Sequence, residues 1–178
     1  MGNIGIPTVL NVTEYRSRLE AKWAAMFDLL GWRYTYEPFD LDGYIPDFCF
    51  NGWETPTIVE VKPATTTKQL EDAFSKIRRS GWNKNVLMLG ATLQTELDHR
   101  QYPLGLTTCG VDWGGQDTLG LTDLALCDRC NSIFPYTWEG SYRCVVCGRN
   151  DGDHHMRNPD LDIHALWAKA GNTVKWRR

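Results

Sequence analysis

The sequence has no excess of positive charge. It carries 19 Lys and Arg against 22 Asp and Glu, a formal net charge of -3. This balance argues against a protein that coats nucleic acid through a global basic field, but a local basic patch beside an acidic site is compatible with DNA binding. Two groups of basic residues are candidates for such a patch: Lys76, Arg78, Arg79 and Lys84, and Lys175, Arg177 and Arg178.

Features of several other protein classes are also missing. No stretch approaches the roughly 20 apolar residues of a membrane helix, and the first ten residues have no basic region followed by an apolar run. We therefore expect a cytoplasmic protein without a membrane partner. The sequence contains neither a GxxxxGK[ST] phosphate-binding loop nor a Gly-x-Ser-x-Gly motif, so nothing indicates NTP hydrolysis or a serine nucleophile of that type.

Hydrophobic periodicity predicts an α/β organisation for the first half of the 178-residue chain. A helix is predicted over residues 13–30, with a capping box from Asn11 to Glu14 and a stop at Gly31. Three strands follow, then a second helix and a fourth strand, which indicates a meander joined to a parallel crossover. The ranges predicted for these five elements are 32–36, 44–50, 57–62, 68–80 and 86–89.

An acidic residue on one predicted strand is matched by an acidic residue on the next. Asp47 follows Pro46, and the next strand carries Glu60 and Lys62. Strand side chains alternate between faces, so Glu60 and Lys62 point the same way, and Asp47 can join them if the strands are neighbours. Two carboxylates there are suited to a hard divalent cation, with a lysine beside them. The alternative is an exposed strand face of alternating charge.

Glu20 is a further acidic candidate, at the edge of the apolar stripe of the first helix. Two interpretations remain open. The carboxylate either pairs with Arg16 one turn earlier, or it leans over the sheet and helps to bind the metal ion.

The order of these residues resembles the core of the PD-(D/E)XK nuclease superfamily, over about seventy residues from Glu20 to Leu89. The segment is also similar to transposon endonuclease subunits and to small phage nucleases. The resemblance implies a restriction-endonuclease-like core, in which a mixed central sheet is flanked by helices. It further implies that Asp47 and Glu60 bind Mg²⁺ or Mn²⁺, that Lys62 serves the attacking water, and that Glu20 is the accessory acid.

The second helix distinguishes branches of that superfamily. Exonuclease branches often carry a Gln and a Tyr four residues apart on this helix. Here Gln69 is present but position 73 is Ala. We therefore expect an endonuclease rather than an exonuclease, and Gln69 remains a candidate for supporting the catalytic site.

Four of the six cysteines form two CxxC pairs, Cys127 with Cys130 and Cys144 with Cys147, separated by 13 residues. Four thiolates satisfy a tetrahedral Zn²⁺ with no open position, which predicts a structural zinc ribbon. An iron–sulfur cluster and two disulfides are the alternatives. Alternating aromatic residues between the pairs predict a β-hairpin there: Phe134, Tyr136 and Trp138.

The complete prediction is an α/β protein with a nuclease core over residues 1–92, an irregular connecting segment over 93–123, a zinc ribbon over 124–150, and a loop and helix over 151–178 that pack on the core. The last helix is predicted to start at Asn158-Pro159 and to stop at Gly171. His154 and His155 are predicted to be an exposed loop pair, with metal or base chemistry as the alternative.

The expected function is Mg²⁺-dependent hydrolysis of phosphodiester bonds in DNA. The alternative is an inactive module that binds nucleic acid or protein. The zinc ribbon is expected to contact DNA, to dock a protein partner or simply to stabilise the fold.

Overall fold

The computed structural model describes residues 5–94, 102–109, 119–137, 142–150, 152 and 154–174. The chain divides into two compact units, the first formed by Met1–Arg33 with Asp160–Arg178 and the second by Tyr34–Pro159. Within the described ranges, no helix has the length and apolar character needed to cross a membrane. Four residues named in the sequence-based predictions lie outside these ranges: Trp138, Lys175, Arg177 and Arg178.

The first unit contains a β-hairpin and two helices. The two strands pair antiparallel, and the two helices pack together through Trp23 and Trp167, whose ring centroids are 4.5 Å apart. The elements are β1 (Thr8–Leu10), β2 (Thr13–Tyr15), α1 (Arg18–Leu30) and α3 (Ile163–Thr173).

The start of the first helix was predicted five residues too early. Thr13–Tyr15 pairs with β1, and Asn11 occupies the hairpin turn with φ 56°, a conformation that Asn tolerates better than most residues. The true N-cap is Ser17, whose side chain accepts a hydrogen bond from the Glu20 backbone N–H at 3.1 Å. The predicted end is confirmed, because Gly31 adopts the left-handed conformation with φ 72°.

The last helix was predicted to stop at Gly171, but α3 continues to Thr173 and begins after the N-cap Asp162. Gly171 lies against α1, where a Cβ atom would be 3.2 Å from Lys22 Cε. The glycine therefore permits close packing of the two helices instead of ending one of them.

The second unit is built on a mixed six-stranded sheet with the order β3-β4-β5-β6-β7-β8. The pairing of β5 with β6 is parallel and the other four pairings are antiparallel. The predicted meander and parallel crossover are therefore confirmed. The elements are β3 (Thr35–Tyr36), β4 (Phe48–Phe50), β5 (Thr57–Val61), α2 (Thr67–Arg79), β6 (Asn85–Leu89), β7 (Gly105–Thr107) and β8 (Gly120–Leu121).

The crossover helix α2 covers one face of this sheet with an amphipathic surface. Thr66 and Gln69 form a capping box at its N-terminus. The buried residues Leu70, Phe74 and Ile77 recur at helical spacing on the face that meets the sheet. Their cluster includes the sheet residues Ile58, Val86, Met88 and Leu106.

Two strands of the sheet lie inside the segment that was predicted to be irregular. β7 and β8 contain three and two residues, which is too short for a hydrophobic period to be recognised. β7 also begins at Gly105, where a Cβ atom would approach the Met88 carbonyl oxygen to 2.1 Å. A glycine is required there because the neighbouring strand backbone is so close.

The cysteine pairs adjoin a separate three-stranded antiparallel sheet with the order β10-β9-β11. β10, which carries Phe134 and Tyr136, pairs with β9, which ends at the first cysteine, and β11 follows the second pair. The part of the predicted hairpin that contains Trp138 lies outside the described residues. The elements are β9 (Asp123–Cys127), β10 (Ile133–Tyr136) and β11 (Met156–Arg157).

Candidate functional site

Asp47 immediately precedes β4, and Glu60 lies on the neighbouring strand β5. Phe48 at the start of β4 pairs with Val59, and continuing this antiparallel register by one residue would bring Asp47 opposite Glu60. Directly opposed residues of an antiparallel pair share one face of the sheet. The Asp47 carboxylate also accepts a hydrogen bond from the Val61 backbone N–H at 2.7 Å, which ties β4 to the end of β5.

The Glu60 carboxylate uses its two oxygens differently. Oε1 forms a close ion pair with Lys62 Nζ, and Oε2 accepts a hydrogen bond from the Tyr44 hydroxyl at 2.6 Å. Asp47 and Glu60 are both 4% exposed, whereas the Lys62 side chain is 36% exposed. The structure therefore contains a buried acidic pair with a more accessible lysine beside it.

Tyr44 is a part of this site that the sequence-based predictions missed. Burial raises the pKa of its phenol, and the charge and hydrogen bond of Glu60 and the charge of Asp47 raise it further. The phenol thus remains a neutral hydrogen-bond donor. No sequence motif marks Tyr44, because its contact with Glu60 spans 16 residues and depends on the turn that precedes β4.

The acidic pair lies on the α2 side of the sheet. Ile58, two residues before Glu60, belongs to the hydrophobic cluster beneath α2, and side chains two apart on a strand share a face. The exposed Lys76 of α2 lies over the Tyr44 ring, with Nζ 5.5 Å from the ring centroid, which is within cation–π range. A second positive charge therefore flanks the site.

Glu20 belongs to the first unit, on α1. Its carboxylate accepts a hydrogen bond from the Ser17 hydroxyl at 3.0 Å and lies 3.7 Å from Arg16 Nε. The pairing with Arg16 that was one of the two alternatives is thus present, although Glu20 is buried rather than at the surface. Its participation in metal binding stays a prediction.

The Gln69 side chain caps the N-terminus of α2. Its Oε1 accepts hydrogen bonds from the backbone N–H groups of Thr65 at 2.9 Å and Thr66 at 3.3 Å. This accounts for a glutamine at that position by capping alone. A role for Gln69 in supporting the catalytic site stays a prediction.

The four paired cysteines come together in space. Their sulfur atoms all lie within 4.8 Å of one another, and they are the one group of three or more potential ligands that the described part of the chain brings together in this way. The Cys127–Cys147 and Cys130–Cys144 sulfur separations are both 3.8 Å. Tetrahedral zinc with Zn–S bonds of about 2.3 Å requires sulfur separations of about 3.8 Å. The cluster therefore fits zinc.

The two pairs form turns with the same backbone hydrogen bonds. The first cysteine of each accepts from the N–H four residues later, at 2.9 Å from Asn131 and 2.8 Å from Gly148. Each also donates to the carbonyl five residues later. Asn131 and Gly148 both have positive φ, which allows the chain to turn back immediately after the second cysteine. Burial raises the pKa of the Cys144 thiol, and metal coordination is what deprotonates a thiol in such a setting.

The second cysteine pair contacts the loop between β4 and β5. The N–H of Thr55 donates to the carbonyl oxygen of Val145 at 3.2 Å, and the Arg143 guanidinium lies 2.7 Å from a Glu54 carboxylate oxygen. This loop joins the two strands that carry Asp47 and Glu60. The cysteine cluster and the acidic pair are therefore connected through one β-hairpin.

The prediction of an exposed histidine pair holds for His154 only. His155 is fully buried, and its carbonyl oxygen accepts a hydrogen bond from the Asp128 N–H at 2.9 Å. His155 immediately precedes β11, and Met156 of β11 pairs with Cys127 of β9. His155 thus packs in the interior beside the first cysteine pair.

Comparison of the chain with protein-family models, with curated proteins and with solved structures gives no match.

Proposed function

We propose that this protein is a metal-dependent nuclease that hydrolyses phosphodiester bonds in DNA, with a restriction-endonuclease-like core of the PD-(D/E)XK type. The observation that carries the proposal is the burial of two carboxylates, Asp47 just before β4 and Glu60 on the neighbouring strand β5, with Lys62 paired to Glu60. Burying carboxylates is costly unless they are paired or coordinate a metal, and oxygen ligands of this kind suit hard divalent cations.

Each side chain has a defined task in the proposed reaction. Asp47 and Glu60 would hold Mg²⁺ or Mn²⁺. Such a cation polarises a phosphate oxygen and lowers the pKa of a bound water. Lys62 orients the attacking water by hydrogen bonding and offsets negative charge on the phosphate. The absence of a tyrosine at position 73 favours endonuclease over exonuclease action.

One observation favours the rival interpretation, a non-enzymatic module that binds nucleic acid or protein. Glu60 is satisfied by Tyr44 on one oxygen and by Lys62 on the other. A buried carboxylate with such partners can serve the fold without any cation. The two interpretations therefore differ in whether a divalent cation enters the site.

The deciding experiment is DNA cleavage with matched carboxylate variants. Supercoiled, linear, single-stranded and branched DNA are incubated with the protein and Mg²⁺ or Mn²⁺. We expect cleavage by the wild type and by Asp72→Asn, whose carboxylate is exposed on α2 and pairs with Lys68. Asp47→Asn and Lys62→Ala should be inactive. Failure of the wild type on all four substrates supports the rival, and equal cleavage by Asp47→Asn would show that the cleavage does not depend on the acidic pair.

We also propose that the cysteine cluster holds a structural Zn²⁺ as a zinc ribbon. The support is the match between the sulfur separations and tetrahedral zinc geometry. Metal analysis of protein purified without chelators should find about one zinc per chain, as one tetrahedral four-thiolate site requires. Iron in its place, or two disulfides on mass analysis, contradicts the assignment.

A further inference from the structure

We infer that Tyr44 is the positioning residue of the proposed metal site, and that the cation enters on the Glu60 Oε1 side by displacing the Lys62 ammonium. This inference rests on the proposed function, since it concerns the same carboxylate pair. It adds a residue that the superfamily resemblance did not assign, and it specifies which oxygen of Glu60 is available to a cation.

First, the two oxygens of the Glu60 carboxylate have partners of different mobility. The Tyr44 hydroxyl donates to Oε2 at 2.6 Å, a distance typical of a strong bond from a hydroxyl to a carboxylate. Tyr44 is 5% exposed, so its ring has little room to turn away. Lys62 holds Oε1 through a long side chain that is 36% exposed and can withdraw into solvent.

The second step is the backbone that places Tyr44. Asp42 and Gly43 both have positive φ, 51° and 84°, as in the two-residue turn of a tight hairpin. Leu41 and Tyr44 exchange both backbone hydrogen bonds across this turn, at 2.8 and 3.3 Å. Asp40 Oδ1 accepts from the Gly43 N–H at 2.6 Å. The phenol is therefore presented from a fixed turn, independently of the strand that carries Glu60.

The third step is the consequence for metal binding. A partner that fixes the orientation of a ligating carboxylate raises metal affinity, because less freedom is lost when the ion binds. A partner that must leave lowers the affinity, because its interaction is broken. Tyr44 and Lys62 should therefore affect cation affinity in opposite directions.

The test measures Mn²⁺ binding to the 178-residue chain, purified without chelators, by the loss of the free Mn²⁺ signal in electron paramagnetic resonance. Tyr44→Phe should raise the dissociation constant roughly 10- to 100-fold. Lys62→Met should lower it, although the same variant loses cleavage. Tyr102→Phe is the matched control, because it also removes a tyrosine hydroxyl that bonds a side chain, here Asn158, and it should bind Mn²⁺ as the wild type does.

Further measurements keep the outcomes distinct. The Val61 amide resonance, which reports the hydrogen bond to Asp47, should be unchanged in Tyr44→Phe if the strand pair stays folded. Wild-type affinity for Mn²⁺ in Tyr44→Phe, or weakened binding in Lys62→Met, overturns the inference. If the wild type binds Mn²⁺ but cleaves no DNA, the nuclease proposal fails while the binding data still decide the role of Tyr44. If Asp47→Asn binds Mn²⁺ as the wild type does, both the nuclease proposal and the inference about Tyr44 fail.

Discussion

The backbone N–H of Glu54 donates a hydrogen bond to the carbonyl oxygen of Val146 at 3.1 Å. Val146 lies between the two cysteines of the second pair, and Glu54 lies in the loop between the strands that carry Asp47 and Glu60. A neighbouring bond joins Thr55 to Val145. The loop between β4 and β5 is therefore hydrogen-bonded to the turn that contains the second cysteine pair.

Removal of zinc should loosen this loop first. Chelation of the proposed zinc should release the second cysteine pair from the first, because structural zinc supplies folding energy that a small module does not otherwise have. We expect the Glu54 and Thr55 amides to exchange hydrogen faster in the zinc-free protein, while amides of the central strands β5 and β6 keep their protection. Hydrogen–deuterium exchange followed by NMR measures this. If the Glu54 amide exchanges hydrogen at the same rate with and without zinc, the cysteine cluster does not stabilise this loop.

Two substitutions of Asp47 should separate its structural role from its proposed metal-binding role. Asp47→Ala leaves the buried Val61 N–H without its acceptor, which should lower the free energy of unfolding by about 1–3 kcal/mol. Asp47→Asn keeps an oxygen that can accept this bond, so its stability should stay close to that of the wild type while Mn²⁺ binding is lost. Urea unfolding measures the stability of both variants, and the Mn²⁺ titration measures their metal binding. Equal destabilisation by Asn and Ala contradicts this separation.

The parts of the fold that were predicted correctly are those whose information is local. α2 has a capping box, a clear apolar stripe and a following glycine, so its observed bounds differ from the prediction by one residue at each end. The CxxC spacing by itself defines two turns that bring thiols together, and the cluster is present. The argument that Asp47 can join Glu60 assumed that the two strands are neighbours, and the pairing of β4 with β5 is present.

The parts that could not be predicted depend on contacts distant in sequence. The Tyr44 hydroxyl reaches Glu60 because the chain reverses in a turn before β4. No local sequence pattern predicts this hydrogen bond. β7 and β8 are defined by pairing with β6 and with each other, not by a period of their own. Tyr15 lies at helical spacing from Leu19 and Trp23, yet pairing with β1 places it in a strand.

The six thiols should divide into two classes by reactivity. Burial raises the pKa of Cys49 and Cys109 to about 11, so neither offers appreciable thiolate near neutral pH. The proposed zinc would protect the four clustered cysteines instead. A colorimetric thiol reagent should find little reaction in the zinc-loaded protein, four rapid thiols after chelation, and the remaining two only after unfolding. Six rapid thiols after chelation would mean that the sheet holding Cys49 and Cys109 opens together with the zinc site.

Lys76 should contribute to DNA affinity because it carries a positive charge on the same side of the sheet as the acidic pair. Lys76→Ala should weaken binding similarly across DNA sequences and should reduce the slope of log affinity against log salt concentration by about 0.9, the value for one phosphate contact with duplex DNA. Lys68→Ala is the control, because Lys68 is on the same helix but pairs with Asp72 at its exposed surface. Fluorescence anisotropy in the Asp47→Asn background, which keeps the DNA uncut, measures both. A salt slope unchanged by Lys76→Ala, or reduced equally by Lys68→Ala, would place the DNA elsewhere on the protein.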